Sequence, residues 1–163
     1  MEKETGKYNA LDVARYIVNY SWKEKKPVSN LKLQKLLYFV QAKFLISSDG
    51  EACFSDEIEA WAFGPVVPNV YHEFKKYGAS IIPEIDYYID FSDGIWNAKK
   101  VDYKNDIIKE IDQEIINKTV DELSDYSASM LVDITHKQKP WCCSYSKGKN
   151  NVIPKKVIKE YFI

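Results

Sequence analysis

The chain has 163 residues, 45% of them apolar, 14% aromatic and 29% charged, a balance that fits a globular protein and excludes a disordered or collagen-like one. At about 100–200 residues per domain, this length predicts a single domain over 1–163 with a core of its own. The net charge of −1 conceals a division along the chain: residues 1–48 carry nine basic and four acidic side chains, 49–91 two and nine, 92–126 five and nine, and 127–163 seven and two.

Taken in chain order, Asn9 followed by Asp12 marks a helix start, and Ala10, Val13, Ala14, Ile17 and Ser21 recur at helical spacing to about Glu24. Lys25-Lys26-Pro27 ends this helix. Ser29 or Asn30 caps the next one, expected to reach about Ile46, with Leu33, Leu36, Leu37, Val40 and Phe44 on a core stripe. Gln34, Tyr38, Gln41 and Leu45 form a second, mixed face, and Lys35 and Ala42 fall opposite the core. After a turn at Ser47–Gly50, residues 57–63 alternate as a short strand, with Ile58, Ala60 and Ala62 on one side and Glu57, Glu59, Trp61 and Phe63 on the other. Gly64-Pro65 stops it and shapes a strand-to-helix corner. Pro68 opens a third helix through Tyr77, closed by Gly78.

Residues 81–96, with Pro83 and Asp93-Gly94, read as irregular structure with at most short strands. A long helix from about Asn105 to Leu123 follows, buried through Ile108, Ile111, Ile115 and Val120. Ser127 begins a short helix through Ile134, and Pro154–Tyr161 forms the last. The fold class is mainly α (α+β), with about five to six helices and a small antiparallel β element. The most apolar run, Leu36 to Ile46, is broken by Gln41 and Lys43 and falls short of the roughly 18 apolar residues of a membrane span. MEKETGKYNA lacks an apolar signal core, so a cytoplasmic location without membrane contact is expected.

Chemistry-bearing motifs are scarce. Cys53, Cys142 and Cys143 form no even disulfide framework, and no C-x-x-C or H-x-x-x-H spacing supports a metal site. Scattered glycines form no phosphate loop or dinucleotide fingerprint, so no cofactor is expected. Two alternatives stay open. One is a small enzyme pairing Cys142 or Cys143 with His136 as base; the other is a nucleic-acid binder using Lys23, Lys25, Lys26, Lys32 and Lys35. Arg15 is the sole arginine, which disfavours reading of base edges or phosphates. Twelve tyrosines and four tryptophans suit a protein-gripping surface. The charge division fits either segments of opposite sign that meet in the fold or a dipolar surface that steers a charged protein.

Three blocks carry a resemblance: Leu31-Lys32-Leu33-Gln34-Lys35-Leu36-Leu37-Tyr38-Phe39, then Ile58 to Tyr71 with its W-A-F-G-P-V-V-P core, then Asp133-Ile134-Thr135-His136 leading to Pro140-Trp141. From about Ala10 to Phe162 the chain resembles the antitoxin SocA-like, or Panacea domain, family of bacterial and phage-associated proteins. The resemblance implies a mostly helical domain without catalytic residues that binds and neutralises a toxin protein, often encoded beside it. One family member also delivers its toxin to a Clp-type protease. It places partner-binding or motif roles on Lys32, Gln34, Lys35, Tyr38, Trp61, Phe63, Gly64, Pro65, Tyr71, His136, Pro140 and Trp141. Cys142-Cys143 lies outside that pattern. Among the motif residues, Gln34 is expected in a buried polar network with Trp61 and His136, and Lys35 in partner contact.

Overall fold

In the computed structural model, which describes residues 6–47 and 49–163, a short strand β1 (Gly6–Tyr8) leads into helix α1 (Ala10–Lys23). The Asn9 side chain caps α1 by accepting from the Leu11 N–H, and Lys25, at φ +60°, turns the chain out of it. Helix α2 (Asn30–Leu45) starts at Ser29, whose side chain accepts from the Lys32 N–H. The turn expected at Ser47–Gly50 includes residue 48, which lies outside the described residues.

Three strands follow: β2 (Ala52–Phe54), β3 (Ile58–Trp61) and β4 (Gly64–Val66). Helix α3 (Pro68–Phe74) runs on as one 3-10 turn to Tyr77, and Gly78 at φ +56° ends it. Strands β5 (Tyr87–Asp90) and β6 (Lys99–Asp102) form a hairpin; β5 is a short strand of the kind allowed within 81–96, and β6, beyond that stretch, is not anticipated. Helices α4 (Glu110–Glu122), α5 (Ala128–His136) and α6 (Lys139–Ser144) then precede strand β7 (Asn151–Ile153) and helix α7 (Lys155–Phe162).

The β strands make three small groups. β1 pairs with β2 in parallel, β3 lies between β4 and β7 in an antiparallel sheet, and β5 pairs with β6. β3 and β4 are joined by the two-residue turn Ala62-Phe63, with Trp61 opposite Gly64. Gly64-Pro65 is therefore the start of a strand rather than a strand-to-helix corner, and Ala62 is exposed in the turn rather than facing inward. The fold is mainly α with small antiparallel sheets, as expected, and no helix among the described residues is long and apolar enough to cross a membrane.

Helix α2 is the centre. The expected stripe of Leu33, Leu36, Leu37, Val40 and Phe44 is fully buried, but so are Lys35, Tyr38, Gln41 and Ala42, so burial extends round most of the helix and leaves only the Lys32, Phe39 and Lys43 face partly open. α4 and α1 cover part of it, β2 and β4 another, and α5 and α7 the rest. Phe162 of α7 packs edge-on against Tyr38 and Phe39, with ring centroids 5.9 and 6.1 Å away. α4 departs from expectation. The α-helix starts at Glu110 rather than at Asn105; Ile108 and Val120 are buried as expected, but Ile111 is 69% exposed, and Asp112 and Ile116 face inward one residue on from the expected Ile111 and Ile115, a rotation of roughly 100°. The reason is Asp112: its carboxylate accepts from the Tyr8 hydroxyl and sits 3.4 Å from the Lys7 ammonium. Burial is the main reason the Tyr8 hydroxyl is pushed up to about 12, with that acceptor adding to it.

The divided charges meet in the fold. Lys7 pairs with Asp49 (2.8 Å), Lys26 with Asp125 (2.8 Å) and Lys43 with Glu122 (3.5 Å). These are exposed or partly exposed pairs that add little to stability; the Lys26 and Lys43 pairs join the basic first segment to the acidic helix α4 and its end, and the Lys7 pair ties β1 to the segment after α2.

Candidate partner-binding site

The polar residues of α2 reach the main chain of the elements around it. Lys35 donates from Nζ to the Pro65 carbonyl at 3.0 Å, and Gln34 accepts from the Val67 N–H at 2.9 Å while donating to Asn30 Oδ1. Asn30 donates in turn to the Tyr71 carbonyl (3.1 Å). Gln41 accepts from the N–H groups of Cys53 and Phe54 and donates to the Phe54 carbonyl, and the Tyr38 hydroxyl donates to Gln138 Oε1 at 2.7 Å. Each unpaired buried polar group would cost about 1–3 kcal/mol, so these bonds fix how β2, β4, α3 and the start of α6 sit on α2.

The Lys35 result corrects the sequence reading. The residue is completely buried, its ammonium is surrounded by protein, and burial alone lowers its pKa to about 7. It is a scaffold residue and not a surface contact. Gly64 makes the close approach possible: its φ is +103°, and a Cβ there would lie 2.6 Å from Lys35 Cε and 2.9 Å from Thr135 Oγ1. Gln34 is in a buried network, as expected, but its partners are Asn30 and Val67 rather than Trp61 and His136.

Above this scaffold the β3–β4 turn is held from the other side as well. His136, at the end of α5, bonds through Nε2 to the Ala62 carbonyl at 2.9 Å, which requires that nitrogen to carry the proton. Trp141 of α6 donates from its indole to the Trp61 carbonyl at 2.8 Å and stacks between His136 and Tyr145, with centroids 4.2 and 4.5 Å away. Pro140, buried in the first turn of α6, sets the direction from which Trp141 arrives. Trp61 projects outward, its indole donating to Glu59 Oε1 and its ring edge-on to Tyr71 at 5.0 Å. Phe63, in the middle of the turn, is 69% exposed. An exposed aromatic thus stands on a turn clamped by Lys35, His136 and Trp141, so its position is fixed by the fold.

A cavity of about 590 Å³ opens beside this anchor, with Asn30 and Gln34 in its floor and Trp61, Phe63, Tyr71, Lys75, Tyr145 and Lys149 around it. The expected site residues divide accordingly. Gln34, Trp61, Phe63 and Tyr71 meet at the cavity, and Lys35, Gly64, Pro65, His136, Pro140 and Trp141 support its hairpin. Tyr38 lies deeper, and Lys32 is elsewhere, donating to the Ser124 carbonyl and joining α2 to the end of α4. Sequence reasoning missed Lys75, Tyr145 and Lys149. Tyr145 follows Trp141 at a four-residue spacing and is the one of the three with a local signal.

The chain matches the antitoxin SocA-like, Panacea domain family over residues 33–142, two thirds of its length and all of the three motif blocks except Leu31 and Lys32. It belongs to that family. A curated relative, Antitoxin SocA of Caulobacter vibrioides, is 34% identical over 116 residues, covering 71% of this chain and 58% of the relative. The chain thus spans little more than half the length of that antitoxin. No solved structure matches it. Within the family match lie α2 from Leu33 onward, the β3–β4 hairpin, α5 and Trp141, so the aligned region contains the Lys35, His136 and Trp141 clamp around Phe63.

Proposed function

We propose that this protein is an antitoxin that acts by stoichiometric binding of a toxin protein encoded beside it. The observation that carries the reading is the clamped β3–β4 turn: family motif residues hold an exposed Phe63 rigidly in place, an arrangement suited to protein contact. The Panacea family membership and the similarity to a curated antitoxin supply the kind of partner.

Binding rather than catalysis is supported by the geometry at the Cys/His pair. Cys142 Sγ points to the His136 carbonyl at 2.9 Å, whereas the imidazole bonds to Ala62 and stacks on Trp141, so it is not placed to take the proton of that thiol. Among the described residues, no group of three or more His, Cys, Asp or Glu converges as a metal site. For the nucleic-acid alternative, Lys35 is buried and Lys26 and Lys32 are engaged at the end of α4, which breaks up the basic patch that reading needs.

The test is co-expression of the neighbouring reading frame with and without this chain. The neighbour alone should arrest growth, co-expression should restore it, and the two proteins should co-purify as a complex. A harmless neighbour, or protection without a complex, would count against the reading. The half-life of the toxin in cells with and without a Clp-type protease tests the adaptor role in the same experiment.

A further inference from the structure

The cavity beside Phe63 has a composition that specifies its occupant. Its aromatic wall of Trp61, Phe63, Tyr71 and Tyr145 offers apolar surface, and among the described residues its only charged members are Lys75 and Lys149. Both lysines are exposed, and neither makes an ion pair among the described residues. The floor makes no demand for a polar ligand, because the Asn30 and Gln34 amides are engaged with each other and with the main chain of Val67 and Tyr71. Glu59, beside the wall, is occupied by the Trp61 indole.

A volume of about 590 Å³ is in the range of a small-molecule site and accommodates a few side chains. Two cations on one rim are too few for a nucleic-acid backbone, whose binding rests on many phosphate contacts. They do suit one short acidic stretch of polypeptide. Resting on the antitoxin reading, we propose that this cavity receives an acidic segment of the toxin. An apolar side chain of that segment packs against Phe63 and Trp61, and its carboxylates meet Lys75 and Lys149. Opposite charge at the rim accelerates and orients the encounter, and the rigid aromatic provides the anchor.

A second exposed surface exists on the β5–β6 hairpin, where Trp96 is 95% exposed. Its charges are mixed, with Asp93 paired to Lys99 at 3.7 Å, so it selects no partner by charge and serves as the control.

The test uses the isotopically labelled full chain and three probes: a short acidic peptide with a central Phe-Leu pair, the same peptide with lysine in place of every acid, and a short thymidine oligonucleotide. The acidic peptide should shift the Trp61 indole and Lys149 amide resonances saturably, with a dissociation constant of about 0.1–1 mM. Phe63→Ala, and separately Lys75→Glu with Lys149→Glu, should each weaken it by about tenfold or more at unchanged melting temperature. The same variants should reduce growth protection in the co-expression assay, whereas Trp96→Ala should not. No saturable shift, equal binding of the lysine peptide, or tighter binding of the oligonucleotide would overturn the proposal. Full protection by both cavity variants would overturn it while leaving the antitoxin reading intact. Peptide binding at the cavity with no protection by the wild-type chain would overturn the antitoxin reading and with it the toxin as the source of the segment.

Discussion

Lys35→Met isolates the buried amine at the centre of the scaffold. Lys35 is completely buried, its ammonium donates to the Pro65 carbonyl, and among the described residues no carboxylate pairs with it. Burial holds its pKa at about 7 against an ordinary 10.5. Between those values the unfolded chain binds a proton that the folded chain lacks, so stability rises with pH from about 7 to about 10.5 and is nearly flat at lower pH. From about pH 6 to about pH 9 the gain is about 2–3 kcal/mol, or about 5–10 °C in melting temperature for a chain of this size. Methionine keeps the bulk, removes the titration and leaves the Pro65 carbonyl without its donor, a loss of about 1–2 kcal/mol. Wild type should therefore be the more stable protein at about pH 9, and the difference should shrink or reverse at about pH 6. Urea unfolding of both proteins at matched ionic strength measures this directly, since Lys35 is the one titratable group that differs between them. Parallel stability curves would refute the argument that Lys35 folds into a site that disfavours its charge.

Gly64→Ala should lower stability by about 2–3 kcal/mol, read from the denaturant midpoint, because the added Cβ meets Lys35 and Thr135 at a left-handed φ. Gln41→Leu removes one donor and one acceptor that together serve three main-chain groups of β2; we expect a loss of about 2–4 kcal/mol and faster amide exchange at Cys53 and Phe54. Alkylation of the folded protein should label the exposed Cys142 and Cys143 and spare Cys53, which is buried and whose thiol is pushed up mainly by that burial. Mass spectrometry would show it, and modification of Cys53 without denaturant would contradict the packing of β2 on α2.

The helices with a strong local signal were legible. Asn9 and Ser29 cap α1 and α2 as expected, Pro68 and Gly78 bracket the third helical segment, and Ser127 starts α5. Elements made by tertiary contact were not. β1 and β2 are three residues each, and β2 is buried throughout, so neither displays a period. The β5–β6 hairpin has neither strand strongly buried, which removes the contrast between faces. α1 pins the segment leading into that hairpin: Asn19 exchanges two hydrogen bonds with Ile85, Trp22 donates to the Ile82 carbonyl, and Arg15 lies 3.5 Å over the Tyr88 ring. These contacts cannot be read from residues 81–104 alone. At the site, the aromatic corner around Trp61 and Phe63 was visible in the sequence. The misreading of Lys35 has a specific cause: a helical wheel assigns one buried face, and α2 is buried on most of its circumference, including the Lys35 side.

The bonds that build the site share a property that bears on partner choice. Lys35, His136 and Trp141 reach the carbonyls of Pro65, Ala62 and Trp61, Gln34 takes the Val67 N–H, and Asn30 reaches the Tyr71 carbonyl. Every one of these partners is a main-chain atom. A main-chain acceptor is present whatever side chain the residue carries, so the clamp fixes the course of the hairpin without constraining what the outward positions display. Phe63 in the turn and Lys75 and Lys149 on the rim can therefore change with little effect on folding, within about 0.5 kcal/mol each for exposed sites. Under the proposed function, rigidity and the capacity to vary then reside in different atoms, the first in α2, α5 and α6 and the second in the outward side chains of the hairpin and rim. On this physical basis, transplanting only the outward residues of the hairpin and rim between two members of the family should transfer toxin preference while leaving the melting temperature of the recipient nearly unchanged.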